Sequence, residues 1–274
     1  MLAFGRSSVR PFGIHFCNTP FNQLPTKTAR SLDVVIPYTH IAVMSHATKA
    51  KFISFASPKG GVGKSTSCLA ITGALLRAGE KVRIIDFDQT ESIWRWYSTS
   101  PAAQQIENLT VEKGPTTDLD TYIKELWHTS TDYVLIDLAG ALSDLTLMVA
   151  AFATLTITPA KVSEPDIIEA NKMARNLHAV AKRIGKPINH LILLNEVPSS
   201  ISNDEVDLIA QIDESNLRRF STLIHRRSAY SKSFSRGTLP HFAEVPDRKA
   251  IAEINAIVDE IRAVLEPAEQ KAAA

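Results

Sequence analysis

Short apolar, β-prone runs alternate along this chain with stretches of helical spacing. The runs lie at 51–57, 81–88, 109–111, 132–140, 152–159 and 190–196. The helical stretches lie at 65–77, from 92 onward, and at 119–127, 164–183 and 247–265. In the first, Leu69, Ile71, Leu75 and Leu76 sit among small residues, and Gly79 stops it. In the fourth, Ile167, Ile168, Met173, Leu177 and Val180 mark one face, and Gly185-Lys186-Pro187 ends it. Strand and helix in strict alternation predict an α/β class: a mostly parallel, twisted sheet covered by helices on both faces. The 109–111 run is short and reads as an edge strand.

Composition narrows the class. The chain has 274 residues, 45% of them hydrophobic and 22% charged, which is ordinary for a globular α/β domain. A net charge of +1 means that any basic site must be local. Two cysteines, Cys17 and Cys68, form neither a disulfide framework nor a metal cluster, and Cys68 reads as a buried thiol on the first helix. The apolar stretch 147–157 is too short to span a bilayer, so the expected compartment is the cytoplasm, with no membrane partner. Residues 1–43 differ from the rest. Arg6, Arg10, Lys27 and Arg30 precede Asp33, the one acid, and four prolines interrupt any helix. A transit-peptide-like lead, a disordered nucleic-acid-binding arm and a non-native extension before Met44 all fit. The domain is expected at 44–266, followed by a frayed tail at 267–274.

The chemistry concentrates at strand ends. Between the first strand and first helix stands Ser57-Pro58-Lys59-Gly60-Gly61-Val62-Gly63-Lys64-Ser65-Thr66. It fits the phosphate-binding loop G-x-x-x-x-G-K-[ST] at Gly63, Lys64 and Ser65, with Pro58 in place of the first glycine. Glycines let backbone N–H groups close around phosphate oxygens, and the helix N-terminus faces the same anion. Lys64 adds a charge at the β/γ-phosphates and Ser65 a hydroxyl for Mg²⁺. The second strand ends in Asp86-Phe87-Asp88, two acids on one side of an extended chain. The fourth ends in Asp137, followed by Leu138-Ala139-Gly140, a Walker B and switch II pattern in which Asp137 binds Mg²⁺ through water. The segment 217–237 carries Arg218, Arg219, Arg226, Arg227, Lys232 and Arg236 and no acid. Such a cluster neutralises phosphates and binds nucleic acid without sequence preference; a solvated helix face or a protein-partner site also fits.

Lys59-Gly60-Gly61-Val62-Gly63-Lys64-Ser65-Thr66 resembles the deviant Walker A motif of the ParA/MinD family of ATPases. The resemblance spans about residues 50–265. It implies a P-loop NTPase fold, ATP and Mg²⁺ as cofactors, and an ATP-bound homodimer in which Lys59 reaches the partner's phosphates. It implies that Asp86 helps hold the Mg²⁺ water shell, that Asp88 orients the attacking water, and that Asn195, at the end of the last strand, hydrogen-bonds adenine. It also places the 217–237 cluster where such proteins contact nonspecific DNA. The chain departs from the family's D-x-D-P-Q-G, reading Asp88-Gln89-Thr90-Glu91.

The ParA-type reading is an ATPase that moves plasmids or chromosomes on the nucleoid with a centromere-binding, ParB-like partner. The rival is a conjugation ATPase acting with relaxosome proteins at a transfer origin, as in T-DNA export; Asp88-Gln89-Thr90-Glu91 and Trp94-Arg95-Trp96 are similar to that branch. A biosynthetic enzyme of the same superfamily would need neither Lys59 nor the basic cluster. A MinD-like positioner needs an amphipathic membrane tail, and 266–274 is a poor one.

Overall fold

The computed structural model describes residues 50–215 and 217–265. The expectations for 1–43, for a domain start at 44 and for the tail at 267–274 lie outside the described residues. In order, the elements are β1 (Lys51–Phe55), α1 (Lys64–Arg77), β2 (Val82–Asp86), α2 (Ser92–Thr99), α3 (Pro101–Gln104) and β3 (Leu109–Lys113). There follow α4 (Leu119–Leu126), β4 (Tyr133–Asp137), α5 (Asp144–Phe152), β5 (Leu155–Ala160), α6 (Glu164–Ile184) and β6 (His190–Leu194). The chain closes with α7 (Asn203–Glu214), α8 (Ser228–Ser235), a 3₁₀ turn (Pro240–Phe242) and α9 (Arg248–Leu265).

The six strands form one sheet in the order β3-β2-β4-β1-β5-β6, every pairing parallel. This is the expected class, with Leu109–Lys113 at the edge as read from the sequence. Alternation along the strands splits the core into two layers. Ile53, Phe55 and Leu135 pack toward α1 and α9, against Leu69, Leu75, Ile254 and Ile257. Phe52, Val134 and Ile136 face the opposite way, toward Leu126, Phe152, Met173 and Leu177 of α4, α5 and α6. Each such side chain, fully buried, stabilises the fold by about 2 kcal/mol. Helices on both faces leave the carboxyl ends of the strands open. The strand order turns around β1 there, which is where open α/β sheets hold ligands.

Three differences from the sequence reading have physical causes. The run 152–159 was expected to be strand throughout, but Phe152 ends α5 and β5 starts at Leu155. Met148 through Phe152 are all buried, so α5 shows no polar face to mark it as a helix. Helix α7 had no apolar stripe strong enough to reveal it. It starts on a capping box in which Ser202 and Glu205 bond each other's backbone N–H. The basic segment, third, has no element assigned from the sequence and is helix only over Ser228–Ser235. Residues 218–226 run beside the outer edge of β6, with Phe220 N–H donating to Ile192 C=O and Ile224 N–H to Leu194 C=O. That covers an otherwise open strand edge.

Candidate functional site

The loop after β1 wraps the N-terminus of α1. Gly63 opens the helix at φ 95°, a left-handed conformation, and a Cβ there would lie 1.9 Å from Asn195 Nδ2. Gly140, on the loop after β4, meets the same turn: its Cβ would stand 2.8 Å from Gly60 Cα. Only glycine permits either approach without backbone movement. An open pocket of about 610 Å³ is lined by Gly60, Lys64, Ser65, Asp88, Trp96 and Phe234 among others. Lys64 is 6% exposed. Gly61 and Thr66 also line the pocket, whereas Val62 is buried behind the loop.

Neighbouring strands bring the acids together. In the β2–β4 pairing Asp86 sits opposite Asp137. Ser65 Oγ donates to Asp137 Oδ2 at 2.5 Å, while Asp137 Oδ1 is buried with no hydrogen-bond partner. Burial pushes the Asp137 carboxyl up to about 7; the Ser65 bond opposes the shift and the Asp86 charge reinforces it. An orphaned carboxylate oxygen beside a hydroxyl and a second acid is a hard-oxygen set that fits Mg²⁺. Among the described residues no three His, Cys, Asp or Glu gather to cage a metal, so such an ion would keep waters and substrate phosphates as ligands.

Asp86 has a second duty that the sequence did not show. Its Oδ1 accepts Asp88 N–H at 3.0 Å, and its Oδ2 accepts the N–H groups of Ile93 and Trp94, both at 3.0 Å. It thus anchors the first turn of α2. Burial raises its carboxyl above the usual range, against those three bonds. Asp88 lines the pocket. Its Oδ1 accepts both Thr90 N–H and Thr90 Oγ–H at 2.9 Å.

Two assigned residues already have partners within the chain. Asn195, 2% exposed, lies beneath the loop instead of lining the pocket. Its Nδ2 donates to Val62 C=O at 3.0 Å and its Oδ1 accepts Glu196 N–H at 2.8 Å. The amide braces the phosphate loop from below, with each of its ends bonded to a backbone group. Lys59, with 43% of its side chain exposed, is paired within the chain. Its Nζ meets Asp166 Oδ2 at 3.0 Å, on the first turn of α6.

The basic cluster divides into two kinds of cation. Arg219 forms a two-pronged bond to Asp213, at 2.6 and 2.7 Å. Arg227 is forked onto Glu253 of α9, which also accepts from His225. These two arginines tie the segment to the fold through their carboxylate partners, unlike the other cations of the cluster. Arg218, Lys232 and Arg236 are exposed with no ion pair among the described residues. Arg226, 70% exposed, reaches Glu196 only at 3.9 Å. Lys232 and Arg236 border a cleft with Asp247. The exposed Arg248 and Lys249 follow it in the chain, and the sequence reading missed them because they open a helix assigned only to packing.

Cys68 is buried, as expected, and burial raises its thiol. No helix among the described residues is long and apolar enough to cross a membrane.

The family model described as "VirC1 protein" matches residues 50–271. Protein virC1 of Rhizobium radiobacter is 26% identical over 193 residues, covering 69% of this chain and 82% of that protein. Protein ParA of the same organism is 27% identical over 188 residues, covering 66% and 81%. Among solved structures, the septum site-determining protein MinD of Pyrococcus horikoshii, complexed with Mg-ADP, superposes with a TM-score of 0.58 at 18% identity. That match covers 79% of this chain and 99% of MinD.

Proposed function

This chain belongs to the VirC1 family, within the ParA/MinD group of P-loop ATPases, and from that premise we propose that it is a Mg²⁺-dependent ATPase whose ATP-bound dimer holds nonspecific DNA. The observation that carries the reading is the Ser65–Asp137 bond beneath a glycine loop, with Asp137 Oδ1 unpartnered. Ser65 and Asp137 would hold Mg²⁺, with Asp86 behind them. A bound Mg²⁺ neutralises charge on phosphate oxygens. Lys64 and the N–H groups from Gly60 to Thr66 bind and orient the phosphates. Asp88 orients the attacking water from across the pocket. Lys59, released from Asp166, adds its charge to the partner's site. Catalysis is then positioning and charge stabilisation, and hydrolysis times a switch.

The DNA surface in this reading is Arg218, Arg226, Lys232 and Arg236, extended by Arg248 and Lys249. The service is plasmid or chromosome partition, driven by a centromere-bound partner. Action at a transfer origin with relaxosome proteins is the second reading, favoured by Asp88-Gln89-Thr90-Glu91 and Trp94-Arg95-Trp96.

The test is binding to duplex DNA with ATP, with ADP and without nucleotide, across a salt series. The expected result is salt-sensitive binding with ATP alone, lost in Lys59→Ala and in Lys232→Ala/Arg236→Ala. Equal binding in all three nucleotide states would sink the switch. A preference for duplex carrying a transfer origin would select the second reading.

A further inference from the structure

The geometry points to Thr90 as the positioning residue for Asp88, the side chain that fixes the water-orienting carboxylate in the nucleotide pocket. The inference rests on the hydrolytic role given to Asp88 above. Asp88 and Thr90 both line the pocket opposite Lys64 and Ser65. Residues 88–91 form a closed turn, with Glu91 N–H donating to Asp88 C=O at 2.8 Å. Inside that turn Thr90 gives Asp88 Oδ1 two donors, its N–H and its hydroxyl, each at 2.9 Å. A hydroxyl has one proton. With that proton on Asp88, the 2.9 Å contact between the Thr90 and Ser92 oxygens has Ser92 as donor. The chain of bonds Ser92→Thr90→Asp88 therefore has a single direction.

The carboxylate is fixed through one oxygen only. Asp88 Oδ2 has no protein partner among the described residues, so it is the oxygen left for a water molecule. Two anchors on Oδ1 stop rotation about the last side-chain bond, which sets where Oδ2 points. Any residue but proline supplies the N–H at position 90; only serine or threonine adds the hydroxyl donor at this reach. Gln89, inside the same turn, has an exposed side chain.

The turn is held from outside as well. Glu91 sits at φ 50°, a left-handed conformation that is unusual for a residue with a side chain. Its carboxylate pairs with Lys113 of β3 at 2.8 Å, and that ammonium lies 5.8 Å from the centre of the Trp94 ring. The edge strand thus clamps the turn that carries Thr90.

The experiment compares the full chain with Thr90→Val, Thr90→Ser and Asp88→Asn. Steady-state ATP hydrolysis is measured with Mg²⁺ and duplex DNA, beside ATP affinity and amide hydrogen exchange of the nucleotide-free chain across residues 86–94. The expected result is that Thr90→Val lowers kcat on the order of fivefold to tenfold with KM for ATP unchanged. Exchange at Thr90 and Glu91 speeds up in that variant, and Thr90→Ser restores both readouts. Wild-type kcat in Thr90→Val beside an inactive Asp88→Asn would overturn the role of Thr90 and leave that of Asp88 standing. Wild-type kcat in Asp88→Asn would remove the reading on which the inference rests. A Thr90→Ser variant as slow as Thr90→Val would show that the methyl group, not the hydroxyl, matters, and would overturn it too.

Discussion

Lys59 Nζ lies 3.0 Å from Asp166 Oδ2, joining the tip of the phosphate loop to the first turn of α6. Asp166 is 5% exposed and also accepts Ser163 Oγ–H at 2.5 Å, so its carboxylate is held in place before the lysine arrives. In the proposed cycle the same lysine must serve a partner's phosphates. The contact is therefore a competitor of the dimer.

Asp166→Asn is expected to leave ATP affinity unchanged and to tighten the ATP-dependent dimer about fivefold. That is about 1 kcal/mol, the upper range for a pair whose lysine is partly exposed. Light scattering across an ATP titration checks it. Unchanged dimerisation would mean that the pair is ornamental on the fold.

The buried Asp137 carboxyl predicts a pH dependence. Its folded-state pKa, about 7, stands above the ordinary 3.8, so the folded chain holds a proton that the unfolded chain releases. Stability of the nucleotide-free protein should fall as pH rises from about 4 to about 7 and level off above. Asp137→Asn should flatten that slope in thermal unfolding while abolishing Mg²⁺-dependent nucleotide binding. A slope retained in the variant would assign it to another group.

If Asn195 braces the loop, Asn195→Ala should weaken ATP and GTP binding by the same factor. It strands the Val62 carbonyl, at a cost of about 1–3 kcal/mol. Competition binding with both nucleotides decides. A loss confined to ATP would return Asn195 to base recognition.

Arg227→Ala and Lys232→Ala should differ in kind. The first leaves Glu253 with His225 alone and should lower stability by about 1–2 kcal/mol. The second should leave unfolding unchanged and reduce the salt dependence of DNA binding by about one ion. Denaturant melts and a salt series on both proteins separate the effects.

Gly140→Ala should damage ATP binding more than folding, because its Cβ would press on Gly60 backbone atoms that cannot rotate away. Isothermal titration with ATP beside a thermal melt checks the split.

The sequence by itself determined the class of fold, the nucleotide loop and the acids at the strand ends. Those features are local: an apolar run of five residues, a glycine pair before a lysine, an aspartate where a strand stops. Once the run is a strand, its pleat puts Ile53 and Phe52 on opposite layers. The sequence did not show which groups each side chain would meet. Asp166 lies 107 residues from Lys59, and nothing in the spacing joins them. Arg219 and Arg227 read as free cations until Asp213 and Glu253 came beside them from other helices. The resemblance gives Asn195 to adenine, and only the fold shows its amide set against Val62. Polar side chains settle on whatever donors and acceptors the packed backbone leaves within about 3 Å, and that inventory exists only after the sheet and helices have assembled.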